Sequence, residues 1–383
     1  METNTIRVGD CIEILRGMAA DSIDCCVTSP PYWGLRDYGN DEQIGLESTP
    51  DEYVAKMVAV FAEVRRVLKP EGTCWLNLGD SYSVGCMTGK QGANSTTGRN
   101  IGQAEGTALP RRKLPPGLKP KDLCMIPARV ALALRADGWW LRSDIIWAKP
   151  NPMPESCKDR PTSAHEHIYL LTKSGNTTVW RHRDSREWSY VHLTDYRWIN
   201  KHTREETDVE PPEVMMADWR RINLWRGMDY WYDADAISEP NQTDVNFPGM
   251  RQCYQRLGGN IAHKGDSLSR ASDTSKQGTR AMLSGRGETR NARNVWTIAT
   301  KPYSGAHFAV FPPEIPRRCI LAGCPEGGIV LDPFFGSGTT GEVAETLGRQ
   351  WVGIELNPEY AELAKKRTQQ RSLFGEINET TPH

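Results

Sequence analysis

Ile329-Val330-Leu331-Asp332-Pro333-Phe334-Phe335-Gly336-Ser337-Gly338-Thr339-Thr340 decides the fold of this 383-residue chain. Gly328–Leu331 is a short apolar run of the buried-strand kind, and Gly341–Leu347 reads as a helix closed by Gly348. The turn between them is rich in glycine. Gly336 and Gly338 let the backbone turn tightly and approach a bound nucleoside, while the helix N-terminus adds oriented N–H groups. Gln350–Ile354 predicts the next strand. Glu355 stands at its end, 23 residues after Asp332, placed to accept hydrogen bonds from ribose hydroxyls. Asn357-Pro358-Glu359 then caps an amphipathic helix through Lys366, and a polar tail, expected to fray, runs from Thr368.

The other end of the chain repeats this βα rhythm. Thr5–Val8 is a short strand ending in Gly9-Asp10, and Cys11–Leu15 suits a helix. Ile23–Val27 is a second apolar run, leading into Thr28-Ser29-Pro30-Pro31-Tyr32-Trp33. Two consecutive prolines fix φ at two positions, supply no N–H and push Ser29 out of the helical region, so the chain leaves the sheet rigid and extended. The turn presents the Ser29 hydroxyl and the Ser29 and Pro30 carbonyls as acceptors beside the Tyr32 ring, a combination suited to a planar ligand carrying an NH2 group. Asp10 and Ser29 are expected at one edge of a parallel sheet, where open α/β folds bind ligands.

Further along, Thr49 and Glu52 have capping-box spacing and Pro50 takes the first helical position. Val54, Met57, Val58, Phe61, Val64 and Leu68 make one apolar stripe, closed by Lys69-Pro70-Glu71-Gly72. Thr73–Asp80 predicts a strand, Ile126–Ala136 a helix, and Trp139–Lys149 and Glu166–Lys173 two more strands.

The length suits two to three domains, or one large α/β domain with an insertion. Ten cysteines without a C-x-x-C pair suggest neither a zinc cage nor a disulfide framework. His165-Glu166-His167 lacks the helical spacing of a zinc site, so no metal is expected. No apolar leader and no run near the ~18 apolar residues of a membrane span is present, and a soluble cytoplasmic protein is expected. Net charge is only −1, but it is segregated: residues 83–121 carry +6 and residues 241–300 carry +5, leaving −12 for the rest. Two basic segments are what a footprint on phosphates gives. Residues 83–120 lack apolar periodicity and read as a mobile basic loop; 176–300 is irregular and rich in Trp and Arg, serving either as the small core of an inserted module or for base stacking.

Ser29-Pro30-Pro31-Tyr32 resembles the catalytic motif of the amino-group DNA methyltransferases, which modify the exocyclic nitrogen of cytosine or adenine. Asp332–Thr340 with Gly353–Tyr360 resembles their S-adenosylmethionine-binding region, His307–Pro312 the segment preceding it, and Gly9-Asp10 the position that contacts the adenine of the cofactor. With the catalytic motif first and the cofactor motif last, the order is that of the permuted β group. The resemblance implies an α/β, Rossmann-like, S-adenosylmethionine-dependent methyltransferase sheet, circularly permuted, with an inserted target-recognition region. It implies a catalytic half at 1–175, a recognition insertion at 176–300, a cofactor half at 301–367 and a tail at 368–383.

In that family reading Ser29 and the Pro30 carbonyl accept from the amino group, Pro31 stiffens the turn and Tyr32 stacks on the base. Asp10, His307, Phe308, Asp332, Phe334, Gly336, Ser337, Gly338, Thr339 and Glu355 hold the cofactor. Arg36, Arg111, Arg112, Lys113, Arg251, Arg256, Arg290 and Arg293 are candidates for duplex DNA, the expected partner together with a cognate restriction endonuclease, in a monomer or homodimer. Ser at the first motif position points to N4 of cytosine, with N6 of adenine as the alternative. A protein-glutamine methyltransferase normally has Asn before the prolines, a non-catalytic nucleic-acid-binding protein leaves the paired motifs unexplained, and a dinucleotide oxidoreductase leaves Ser-Pro-Pro-Tyr unexplained.

Overall fold

The computed structural model describes residues 1–35, 43–83, 117–155, 157–240, 289–300 and 311–375. The first half contains β1 (Thr5–Val8), α1 (Cys11–Arg16), β2 (Ile23–Thr28), α2 (Pro50–Val67), β3 (Leu68–Leu78), α3 (Ile126–Ala136), β4 (Trp140–Ala148) and β5 (His165–Thr172). Six short strands follow: β6 (Val179–His182), β7 (Trp188–Ser189), β8 (Tyr196–Asn200), β9 (Glu206–Thr207), β10 (Trp219–Asn223) and β11 (Trp225–Met228). Residues 234–293 form a separate compact unit, in which β12 (Glu239–Pro240) pairs with β13 (Thr289–Arg290). The chain then continues through β14 (Val295–Thr297), α4 (Glu314–Gly323), β15 (Ile329–Asp332), α5 (Thr339–Thr346), β16 (Gln350–Glu355) and α6 (Pro358–Gly375).

One eight-stranded sheet has the order β1-β16-β15-β2-β3-β5-β4-β14. β1, β16, β15, β2 and β3 are mutually parallel, whereas β5 runs antiparallel to both β3 and β4. The last two long strands therefore slot between the first two, as the permuted order implies. The order reverses between β15 and β2, since β15 leads outward to β16 and β2 leads the other way to β3. That topological switch point is where ligands bind in open α/β sheets.

Alternation along the strands fills two cores. Cys26, Cys74, Leu76 and Leu78 join Tyr53, Met57, Phe61 and Val64 of α2 and Val130 and Leu134 of α3 in one buried cluster. The opposite face meets α4, where a Cβ on Gly323 would lie 2.4 Å from both Thr73 Oγ1 and Trp75 Nε1, so only glycine permits this approach. α2 begins as its sequence predicts: Glu52 N–H donates to Thr49 Oγ1 (3.2 Å), Thr49 N–H donates to Glu52 Oε2 (3.1 Å), and Pro50 takes the first helical position.

Three expectations differ, and one helix was not foreseen. β3 begins at Leu68 rather than at Thr73, because the chain passes from α2 directly into the strand; a register irregularity absorbs the extra residues, and the Lys69 ammonium pairs with the buried Asp24 carboxylate at 2.7 Å. α4 carries no expectation from the sequence. α6 continues past Lys366 with Thr368 buried, its hydroxyl donating to the Ala364 carbonyl at 3.1 Å. Near the end of the 176–300 segment, β14 joins the large sheet beside β4.

Within 176–233, two three-stranded antiparallel sheets (β11-β6-β7 and β10-β8-β9) hold most of the aromatic and basic residues. Trp188 lies 5.1 Å from Trp231, Arg183 pairs with Glu206, and Arg197 pairs with Asp184 and Asp208. These side chains pack on one another within the same unit as the large sheet, while Arg220, Arg221 and Arg226 are exposed. Most of the 83–120 segment lies outside the described residues; at its ends, Ser83 exchanges backbone hydrogen bonds with Lys121 and Asp122.

Candidate active site

Asp332 ends β15 with 2% exposure. Its Oδ1 accepts from Thr28 Oγ1 (2.6 Å) and Phe334 N–H (3.1 Å), and its Oδ2 accepts from Thr340 Oγ1 (2.7 Å). Burial pushes the carboxyl up to about 6, against the pull of those three donors. Thr28 is the last residue of β2, so this carboxylate ties the glycine-rich turn to the strand that delivers Ser29. The φ values of Gly336 (+51°) and Gly338 (+80°) are left-handed, and a Cβ on Gly338 would come within 3.1 Å of Ala364. Gly336 N–H donates to Glu355 Oε2 (2.8 Å) and Asn357 N–H to Oε1 (2.9 Å), while burial raises the Glu355 carboxyl.

Asp10 lies at the same sheet edge, where its side chain caps α1 by accepting from Glu13 N–H at 2.9 Å. Phe334 packs partly buried against the core. Ser337 and Thr339 face Arg367, whose Nη1 donates to their hydroxyls at 3.1 and 3.0 Å and whose Nη2 pairs with Glu342 at 2.6 Å. Arg367 thus braces the turn, a role the sequence reading missed because it lies a helix away.

Ser29 follows β2 at the switch point. Its Oγ lies 3.3 Å from the Tyr32 hydroxyl and accepts from Asn77 Nδ2 at 3.3 Å. The Tyr32 hydroxyl donates to Glu166 Oε2 (2.7 Å) and accepts from Asn77 Nδ2 (2.7 Å), which also reaches Glu166 Oε2 (3.0 Å). Lys149 Nζ closes the set on Glu166 Oε1. The Pro31 carbonyl accepts from the Tyr53 hydroxyl at 3.0 Å, so α2 holds the turn from behind. Asn77 Oδ1 is buried and has no partner among the described residues.

Asn77, Lys149 and Glu166 are site residues that sequence reasoning did not single out for this chemistry. The available signal was a buried polar position inside the apolar run Cys74–Leu78, and a carboxylate within the histidine triplet. In that triplet His167 bonds to Asp144 at 3.0 Å and stacks on Tyr169; among the described residues no group of three or more His, Cys, Asp or Glu is placed to hold an ion.

The Tyr32 ring rests on Gly79, where a Cβ would fall 2.6 Å from Cε2. Because Glu166 and Asn77 anchor the hydroxyl, the ring has little freedom to retreat. Gly79→Ala is expected to slow turnover about tenfold or more by shifting the ring, with cofactor affinity unchanged; isothermal titration alongside a single-turnover assay checks it. His307, Phe308, Arg36, Arg111, Arg112, Lys113, Arg251 and Arg256 lie outside the described residues. Arg290 and Arg293 pair with Glu239 inside the 234–293 unit, at 3.3 and 2.9 Å.

A doubly wound sheet with a glycine-rich turn and an acceptor turn on either side of its switch point is the fold of an α/β methyltransferase. A family model described as DNA methylase, of the N6/N4 methyltransferases, matches residues 23–366. Type II methyltransferase M.SmaI of Serratia marcescens is 40% identical over 366 residues, covering 96% of this chain and 91% of that protein. Type II methyltransferase M.Cfr9I of Citrobacter freundii is 39% identical over 365 residues, covering 95% and 87%. Among solved structures, the PvuII DNA methyltransferase, cytosine-N4-specific, aligns over 96% of this chain and 86% of its own with a TM-score of 0.51 at 17% identity, a likeness of fold. The chain belongs to the N6/N4 DNA methylase family.

S-adenosylmethionine is the cofactor that family membership implies, and the residues present fit it. Gly336 has left-handed φ with open space where a Cβ would be, its nearest neighbour 3.9 Å away, so the backbone there is accessible to a ligand. α5 starts without a side-chain cap, leaving its first N–H groups to a polar ligand. The Asp332 and Glu355 carboxylates flank the turn, accepting from Thr340 Oγ1 and Gly336 N–H. No helix among the described residues is long and apolar enough to cross a membrane.

Proposed function

We propose that the protein transfers a methyl group to the exocyclic N4 of cytosine in duplex DNA. The observation that carries this is the placement of the Ser29 acceptor turn one strand from Asp332, the two joined by the Thr28–Asp332 hydrogen bond. When bound, S-adenosylmethionine supplies an electrophilic methyl group. Asp332, Glu355 and the Gly336–Thr339 turn hold the cofactor, with Asp10, Phe334, His307 and Phe308 completing its surroundings.

An aromatic amine is a poor nucleophile because its lone pair is delocalised into the ring. Acceptors that draw its hydrogens out of plane help localise that pair on nitrogen, and Ser29 Oγ with the Pro30 carbonyl serve this purpose. Pro31, held from behind by Tyr53, keeps both in place, and the Tyr32 ring supplies a stacking surface for the base. Holding donor and acceptor in line is worth up to ~7–11 kcal/mol in favourable cases. A covalent route through an attacking cysteine is not supported. Cys26, the thiol nearest this turn in the chain, is fully buried, and burial raises it well above the ordinary thiol range.

Cytosine is favoured over adenine because Ser29 stands at the first motif position, where the family resemblance points to N4 of cytosine. The target must leave the duplex stack at a cost of a few kcal/mol, offset by the basic segments. Residues 1–175 and 301–367 form the catalytic and cofactor halves, and 176–300, apart from β14 in the large sheet, reads the DNA sequence. The enzyme works in the cytoplasm beside a cognate restriction endonuclease. Expressing the protein in a methylation-deficient bacterial host and mapping modified bases by single-molecule sequencing tests this. N4-methylcytosine in one short sequence context is expected; N6-methyladenine would overturn the choice of base and keep the reaction.

A further inference from the structure

We propose that Glu166 is a positioning residue that sets the hydrogen-bond polarity of the Ser29 turn, acting through the Tyr32 hydroxyl with Lys149 as its counterion. This rests on methyl transfer at Ser29 as proposed above. Glu166 lies 134 residues from Tyr32 in sequence and reaches the turn because β5 runs antiparallel beside β3. An ionised carboxylate has no hydrogen to give. The single hydrogen of the Tyr32 hydroxyl is therefore committed to Glu166 Oε2, at 2.7 Å. Burial and the nearby Glu166 charge raise the Tyr32 phenol well above its ordinary value, so it keeps that hydrogen.

The carboxylate orients Asn77 as well. With Nδ2 at 3.0 Å from Glu166 Oε2, the opposite amide orientation would set two oxygens against each other. Asn77 Nδ2 has two hydrogens and three acceptors, at 2.7, 3.0 and 3.3 Å; the longest is Ser29. The Tyr32 oxygen, its own hydrogen given away, is an acceptor facing Ser29 at 3.3 Å. The Ser29 hydrogen turns to it, and Ser29 meets the target amino group with lone pairs rather than with its hydrogen. Removing the Glu166 charge frees the Tyr32 hydroxyl to donate to Ser29, which reverses this order.

The side chains of Glu166 and Lys149 are 15% and 19% exposed. An ion pair this well buried gives little net stability against its desolvation cost, and a role in ordering the turn accounts for its position.

The test is single-turnover methyl transfer by the full-length protein at saturating S-adenosylmethionine, on unmethylated DNA that the wild type modifies. Glu166→Gln is expected to slow the methyl-transfer step about 30-fold or more, of the order seen when one oriented polar group is removed from an active site. Cofactor Kd and the KM for DNA should stay within about threefold. Tyr32→Phe should show a comparable loss, and the double variant should be no slower than Tyr32→Phe alone, because both remove the same contact.

A Glu166→Gln rate within about threefold of wild type, a loss carried by cofactor or DNA affinity, or multiplicative losses in the double variant would overturn the proposal. If Glu166→Gln does not fold, Tyr32→Phe alone decides, since it deletes one oxygen and leaves the Glu166–Lys149 pair intact; a near-wild-type rate overturns it. No methyl transfer to any DNA by the wild type would instead remove the proposed function itself.

Discussion

Asp332→Asn is expected to weaken S-adenosylmethionine binding about 100-fold or more while leaving the free protein at least as stable as the parent at pH 8. The two effects share one cause. Asp332 is buried, so its ionised form is costly, and its carboxyl is pushed up to about 6 from an ordinary value of 3.8. The sign of the pH dependence follows. Below about 3.8 the group is protonated in both states and costs nothing. As pH rises towards about 6, the unfolded chain ionises while the folded one resists, and stability is lost; above that the loss is complete, on the order of 3 kcal/mol.

An amide at this position removes the charge and fits the same pocket, because the Thr28 hydroxyl and Phe334 N–H can still donate to its oxygen while the Thr340 hydroxyl turns to accept from its NH2. The melting temperature of D332N should equal or exceed that of wild type at pH 8, with the difference shrinking below pH 6 and vanishing near pH 4. Differential scanning fluorimetry across that range, paired with calorimetric titration of the cofactor, measures both. Unchanged cofactor affinity would remove Asp332 from the binding site.

Ser29→Ala is expected to lower the single-turnover methyl-transfer rate about 10²–10³-fold, the usual cost of deleting one oriented polar group at a reacting centre. Cofactor affinity should not move, since Ser29 lies on β2's side of the switch point and the glycine-rich turn on the other. Stability should change little. The Tyr32 hydroxyl and Asn77 Nδ2 keep each other and Glu166 when the 3.3 Å contacts to Ser29 disappear, so no buried donor is orphaned. The separation of rate from affinity is what distinguishes Ser29 from Asp332.

The parallel half of the sheet was legible because its strands announce themselves locally: apolar runs such as Ile23–Val27 and Ile329–Leu331 end in residues that cannot continue a strand. Asp10 and Ser29 could be placed at one edge on that basis, and the parallel strand order puts them there together with Asp332 and Glu355. What connects them was not legible. The Thr28–Asp332 bond spans 304 positions and Tyr32–Glu166 spans 134, and no local pattern says which strands become neighbours.

Glu166 is instructive, since in the sequence it sits between two histidines and raises a question about metal. Its partners are known only once β5 is seen to insert between β3 and β4. Lys69–Gly72 closes α2 as expected, but the early start of β3 was not legible: proline and glycine ordinarily punctuate, and here an ion pair from Asp24 and a register irregularity carry them inside a strand. In 176–233 the abundance of Trp and Arg left packing and base stacking both open; ion pairs such as Arg183–Glu206 and the Trp188–Trp231 contact give many of them structural employment.

The most direct test of the central claim is chemical. Purified wild-type protein and Ser29→Ala are incubated with unmethylated genomic duplex DNA and methyl-labelled S-adenosylmethionine, the DNA is digested, and the nucleosides are separated by mass spectrometry. Label in N4-methylcytosine with the wild type, and its near absence with the variant, is the expected result. Label in 5-methylcytosine, or label in N4-methylcytosine that survives undiminished in Ser29→Ala, would contradict amino-group transfer at the Ser29 turn.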